Sequence, residues 1–181
     1  MRICSIDIGR VNFAFCITEY NEEHPKGNLL LIDNVNLTSC MKPKSYLVPV
    51  LDNMNKELDK HKHILGTCDY IVIEKQMNTN TTAIKLGQHC QSYFMLKYNS
   101  TLVEFPSYYK TQSLNAPPKM TYSQRKKWAV LKAMDILMER NDYVNLTLLS
   151  LSTKADDLAD VIIQTEAFLI SKDKVFKWTQ N

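Results

Sequence analysis

The chain has 181 residues, 45% of them hydrophobic and 23% charged, which is enough apolar material for a folded core and too much for a disordered chain. Its net charge of +3 and pI near 8.5 are mildly basic and by themselves single out no partner. Residues 1–9 already read as a core strand, and no leader pattern or membrane-length apolar run occurs, so an intracellular, reduced protein that does not enter membranes is expected. The five cysteines (Cys4, Cys16, Cys40, Cys68 and Cys90) are odd in number and lack CxxC spacing, which argues against a disulfide framework or a zinc site.

In chain order, residues 2–8 and 11–19 are apolar runs separated by Gly9 and Arg10, the pattern of an antiparallel hairpin, and residues 29–37 add a third strand. Residues 45–64 place Leu47, Val50, Leu51, Met54 and Leu58 at helical spacing. Residues 69–74 are a short buried strand ending on Glu74. Residues 81–97 are helical, with Ile84, Leu86, Cys90, Phe94 and Met95 pointing inward, and residues 101–105 form a strand stopped by Pro106. Residues 106–122, punctuated by Pro106, Pro117 and Pro118, read as a long loop that carries Tyr108, Tyr109 and Lys110. A helix over 123–139, an ambiguous apolar stretch over 143–152 and a last helix over 154–171 complete the chain. Strands followed by alternating helices predict one α/β domain over 1–181, a mixed five-stranded sheet flanked by helices.

Three acidic signatures stand out against this pattern. Asp7 ends the first apolar strand, Glu74 ends another, and Asp156, Asp157 and Asp160 crowd the start of the last helix. Carboxylates at the edge of apolar runs are costly to bury without a partner, and a hard divalent cation takes several oxygen ligands at once. Plainer readings exist for each. Asp7 suits a turn before Gly9, Glu74 suits an ion pair with Lys75, and Thr153 to Asp156 has the pattern of a capping box. The capping reading explains Asp156 well and Asp160 poorly. Asp157 and Asp160, three apart, share one helix face. The three signatures together favour a metal site.

Ser5-Ile6-Asp7-Ile8-Gly9 with Asn12, then Ile73-Glu74-Lys75-Gln76, then Asp156-Asp157-Leu158-Ala159-Asp160 resemble the Holliday junction resolvases. The poxvirus enzymes are the nearer likeness, and the fungal mitochondrial and bacterial RuvC-type enzymes lie further off. The resemblance runs in order over nearly the whole chain. It implies an RNase H-like fold, with Asp7, Glu74, Asp157 and Asp160 as the catalytic carboxylates. They would hold two Mg²⁺ ions per site, with Mn²⁺ as a substitute. It also implies a catalytic lysine between the second and third motifs, for which Lys126 or Lys127 is the first choice and Lys110 the second. The position three residues after Glu74, an aromatic wedge in the bacterial relatives, is Met77 here.

The implied activity is a magnesium-dependent endodeoxyribonuclease that nicks four-way DNA junctions in pairs, leaving 5′-phosphate and 3′-hydroxyl ends. Its partners would be branched DNA and a second copy of the chain in a C2 homodimer, with helix 81–97 as a candidate dimer surface. A poxvirus-type protein would act in the host cytoplasm. The residues themselves add a local basic excess. Lys110, Lys119, Arg125, Lys126 and Lys127 fall within one stretch and suit a phosphate backbone, and Tyr108 and Tyr109 would stack on splayed bases or serve the fold. Two alternatives share most of these features: another RNase H-like nuclease acting on RNA–DNA hybrids or branched DNA, and a non-catalytic DNA-binding module. The second gives no reason for converging acids, which repel phosphate.

Overall fold

A computed structural model describes residues 1–39 and 47–179, with side chains described as far as Lys172. Cys40 and the first two residues of the expected helix 45–64 lie outside the described residues. The elements are β1 (Arg2–Asp7), β2 (Phe13–Glu19), β3 (Asn28–Val35), α1 (Leu47–Lys60), α2 (Lys62–Leu65), β4 (Tyr70–Glu74), α3 (Thr81–Lys97), β5 (Thr101–Phe105), α4 (Tyr108–Ser113), α5 (Tyr122–Glu139), α6 (Tyr143–Leu151) and α7 (Ala155–Thr179).

The strands form one mixed sheet in the order β3-β2-β1-β4-β5. β1, β2 and β3 pair antiparallel, while β4 runs parallel to β1 and β5 parallel to β4. The predicted five-stranded mixed sheet flanked by helices is therefore present. The expected loop over 106–122 differs, because it contains α4, a single short helix that the flanking prolines hide. The ambiguous stretch 143–152 is helix α6, started by Asp142, whose side chain accepts from the Asn145 amide. A capping box, Thr121 with Gln124, opens α5.

Strand pleating divides the side chains between two cores. Cys4, Ile6, Phe13, Phe15, Ile71 and Ile73 point to one face and pack on α1 and α3 through Met54, Leu58, Leu86 and Phe94. Ile3, Ala14, Cys16, Val72, Val103 and Phe105 point to the other. There α7 lies across the sheet with Leu158, Val161, Ile162 and Phe168, and α5 backs it with Ala129, Ala133 and Leu137. The four described cysteines are free and buried and pack as small core residues. Among the described residues no helix is long and apolar enough to cross a membrane.

Candidate active site

Because side chains alternate along a strand, Ile3, Ser5 and Asp7 share the α7 face of β1, and Val72 and Glu74 share it on β4. β1 and β4 are parallel neighbours with Ile6 beside Ile73, so Asp7 and Glu74 come side by side at the carboxyl ends of the strands, where open α/β sheets place their sites. Gly9 holds the turn that follows: a Cβ there would stand 2.2 Å from the Asn12 carbonyl oxygen, so any side chain would force the turn beside Asp7 to shift.

Polar contacts in the core fix α7 over this sheet edge. Gln164, fully buried, donates from Nε2 to the carbonyls of Ile6 (3.2 Å) and Val72 (3.0 Å), bridging β1 and β4. Thr165 shares a 2.7 Å hydrogen bond with Ser5, and the Cys16 thiol donates to the Val161 carbonyl. Asp160 lies one turn before Gln164 and so faces Asp7 and Glu74. Asp157, one turn further back, accepts from Asn34 Nδ2 at 3.4 Å and borders a hollow with Asp7, Arg10, Asn12 and Asn80.

The lysine at these carboxylates is Lys110. Tyr109 packs its ring on Phe105 at the end of β5 (centroids 5.6 Å apart), which seats α4 above the sheet edge. The next residue, Lys110, turns inward with its side chain 8% exposed, and its Nζ lies 3.3 Å from Glu74 Oε1 and 3.4 Å from Asp160 Oδ1. Lys126 is placed differently from the sequence expectation. Its Nζ lies 2.5 Å from Asp156 Oδ2 and 5.1 Å from the Tyr122 ring centroid, at the rim of the same cleft. Asp156 is likewise not the capping-box residue that the sequence predicts: α7 begins at Ala155, and the Asp156 carboxylate is taken up by Lys126. Lys127, Arg125 and Lys119 are exposed, as a phosphate-contacting surface requires, whereas Lys110 is buried and paired. Met77 is exposed and borders the cleft. On α3, Phe94 is core, while Met95 and Leu96 face outward.

Electrostatics set this corner apart. Burial, reinforced by Glu74, holds the Asp7 carboxyl well above the usual carboxylate range, against the pull of Lys110. Burial also raises Asp160, partly offset by Lys110, and raises Asp157 with help from Asp156. Burial alone would lower Lys110, but Asp160, Glu74 and Asp7 outweigh it and keep the ammonium charged far above neutrality. Lys126 is raised mainly by its hydrogen bond to Asp156. Acids pushed up by burial beside the buried Lys110 ammonium make this corner the candidate functional site. Among the described residues, no three His, Cys, Asp or Glu side chains stand at closed metal-ligating spacing. Lys110 occupies the space between Glu74 and Asp160.

Gln164, Thr165 and Asn34 carry no site motif in the sequence, where Lys110 is the second choice for the lysine. The available signals are a lysine immediately after a tyrosine pair and polar residues on the buried face of α7.

The fold has counterparts among solved structures. The crystal structure of the fowlpox virus Holliday junction resolvase superposes with a TM-score of 0.68 at 21% identity, covering 94% of this chain and 99% of that one. Thermus thermophilus RuvC superposes at 0.63 with 11% identity, over 97% and 98% of the two chains. These likenesses establish the RNase H-like fold. Protein 170L of Invertebrate iridescent virus 6 is 32% identical over 92% of this chain and 87% of its own length. A family model described as Poxvirus A22 protein matches residues 1–172. With nearly the whole chain matched, the protein belongs to the poxvirus A22 protein family.

Proposed function

We propose that this protein is a Holliday junction resolvase, an endonuclease that cleaves four-way DNA junctions at the corner formed by Asp7, Glu74, Asp157 and Asp160. The observation that carries the proposal is the convergence of Asp7, Glu74 and Asp160 around the buried Lys110, with Asp157 one helical turn away. Fold-level likeness adds to it: a fowlpox virus resolvase of the same fold is also known in complex with substrate Holliday junction DNA.

The donor set fits divalent metal by chemistry. It consists of hard oxygens, several of them raised by burial, with more negative than positive charge. Asp7, Glu74, Asp157 and Asp160 would hold the metal, two Mg²⁺ per site with Mn²⁺ as substitute. Bound there, the ions would activate a water and stabilise the leaving 3′ oxygen. The chain's own groups do the rest. Lys110 keeps Glu74 and Asp160 from splaying apart and presents positive charge where a phosphate's charge grows. Gln164 and Thr165 lock the aspartate-bearing end of α7 to the strands that carry Asp7 and Glu74. Arg125, Lys126, Lys127 and Lys119 hold flanking phosphates, which makes binding fall steeply with salt. A second copy in a C2 dimer, joined through the α3 surface at Met95 and Leu96, would place an equivalent site on the opposing strand.

The test is cleavage of a synthetic four-way junction by purified protein with Mg²⁺ or Mn²⁺, beside Asp7→Asn and beside an RNA–DNA hybrid duplex. Paired nicks in the junction that Asp7→Asn abolishes are expected. An intact junction, or preferential cutting of the hybrid, refutes the proposal.

A further inference from the structure

The cleft that holds Glu74, Lys110 and Asp160 continues beyond them. Met77, Ser107 and Tyr108 border it, and the same three residues border a more open hollow of about 740 Å³ that reaches out along Gln76 and Pro106. The hollow is of a size that accepts small ligands. It is lined largely by apolar groups although it opens beside the most charged corner of the molecule.

Tyr108 and Tyr109, adjacent in sequence, play different parts. Tyr109 is half-buried against Phe105 and seats α4. Tyr108 is 52% exposed, and its ring is braced by Tyr109 with centroids 4.5 Å apart. An aromatic ring held from behind and open in front has little freedom left to lose on binding. Met77, 72% exposed, borders the same hollow. Arg125 and Lys126 lie on the adjoining wall of the cleft, suited to phosphate. Cations for a backbone beside a rigid ring for a π face are the two elements of a single-strand nucleic-acid site.

We propose that Tyr108 is the stacking platform for one unpaired nucleobase, the base next to the phosphate that enters the corner of Asp7, Glu74, Lys110 and Asp160, with Met77 against the base's edge. The proposal rests on the junction-cleaving function above and deepens it. Tyr108 and Lys110 ride on the same short helix, α4. A base seated on the ring therefore lies at a set distance from the cation at Glu74 and Asp160, and stacking selects which phosphate enters the site. A nucleotide at the exchange point of a four-way junction, where stacking is already interrupted, is the cheapest to place there.

Two readouts that need no cleavage test this. Junction binding is measured with Ca²⁺ in place of Mg²⁺ for the wild type, Tyr108→Ala and Tyr108→Phe. Junctions carrying 5-iodouracil at successive positions around the exchange point are then photocrosslinked and the adducts mapped by mass spectrometry. The expected result is a crosslink on Tyr108 from one position, binding weakened about ten-fold in Tyr108→Ala, the worth of one base–aromatic stack, and near wild-type binding in Tyr108→Phe. Wild-type affinity in Tyr108→Ala, equal loss in Tyr108→Phe, or adducts confined to Tyr109 or other residues would overturn the proposal. A wild type that binds and crosslinks at Tyr108 but never cuts refutes the nuclease function and not the platform. A wild type that does not bind junctions refutes both.

Discussion

Replacing Lys110 by methionine shortens the side chain by one atom and removes the ammonium that lies between Glu74 and Asp160. At the observed separations of 3.3 and 3.4 Å from Glu74 and Asp160, an effective dielectric of about 20 gives roughly 5 kcal/mol of attraction per contact. Keeping an ammonium out of water cancels several kcal/mol of that. Truncating one partner of such a buried group costs about 3–5 kcal/mol, because the remaining charges are left uncompensated.

For a chain of this length, a loss of about 3 kcal/mol lowers Tm by about 6–12 °C. The pH dependence has a definite sign. Asp7 and Asp160 already sit above the ordinary carboxylate range, and without Lys110 they rise further. A carboxyl raised in the folded state binds more protons folded than unfolded. Its contribution to stability is therefore full below the unfolded pKa and is lost as pH rises through the folded one. The deficit of Lys110→Met should therefore be largest near neutrality and shrink on acidification toward the ordinary carboxylate range of about 4. Thermal and urea denaturation in a chelating buffer measure both effects. Equal stability at neutral pH, or a deficit that widens on acidification, would refute the compensating role of Lys110.

Gln164→Leu strips both carbonyl contacts between β1, β4 and α7 and should cost about 1–3 kcal/mol; Oε1 has no partner among the described residues, so its loss offsets part of that. Junction cleavage should fall by more than stability alone explains, read as single-turnover rate at a temperature where the variant is fully folded. Arg140→Met breaks a buried cluster in which the guanidinium pairs with Glu166 and donates to the Tyr20 hydroxyl and the Lys26 carbonyl. It should cost about 3–5 kcal/mol while leaving the folded protein's cleavage rate unchanged, since the cluster touches none of the site carboxylates.

The strands and most helices were readable because their signals are local: apolar runs for β1 and β4, 3.6-residue periodicity for α3, α5 and α7. The carboxylates were readable for a related reason, since acids at the ends of apolar strands contradict their surroundings. Lys110 was obscured because its placement depends on α4, a six-residue helix between Pro106 and Pro117, where a proline-rich composition reads as loop. Lys126 attracted the assignment through its place in a basic helix. Only the packing of α5 against α7 shows that Asp156 claims it. That pairing also explains why Asp156, given to a capping role by its neighbours in sequence, belongs to the rim of the cleft. The pins at Gln164 and Thr165 could not be told from ordinary polar residues without knowing which face of α7 is buried.

The order in which the chain supplies its acids has a consequence for the protein's synthesis. Asp7 comes from the first strand, Glu74 from the middle, Lys110 from a later helix, and Asp157 and Asp160 from α7. A ribosome-bound chain that has emerged only as far as α6 can pair its strands, yet it carries half the acids and leaves Ile3, Ala14 and Val72 uncovered. The corner closes when α7 docks, the same event that buries the second face of the sheet. A chain without α7 therefore lacks Asp157 and Asp160 together with the cover for that face of the sheet, so the acidic corner is completed in the same step that completes the fold.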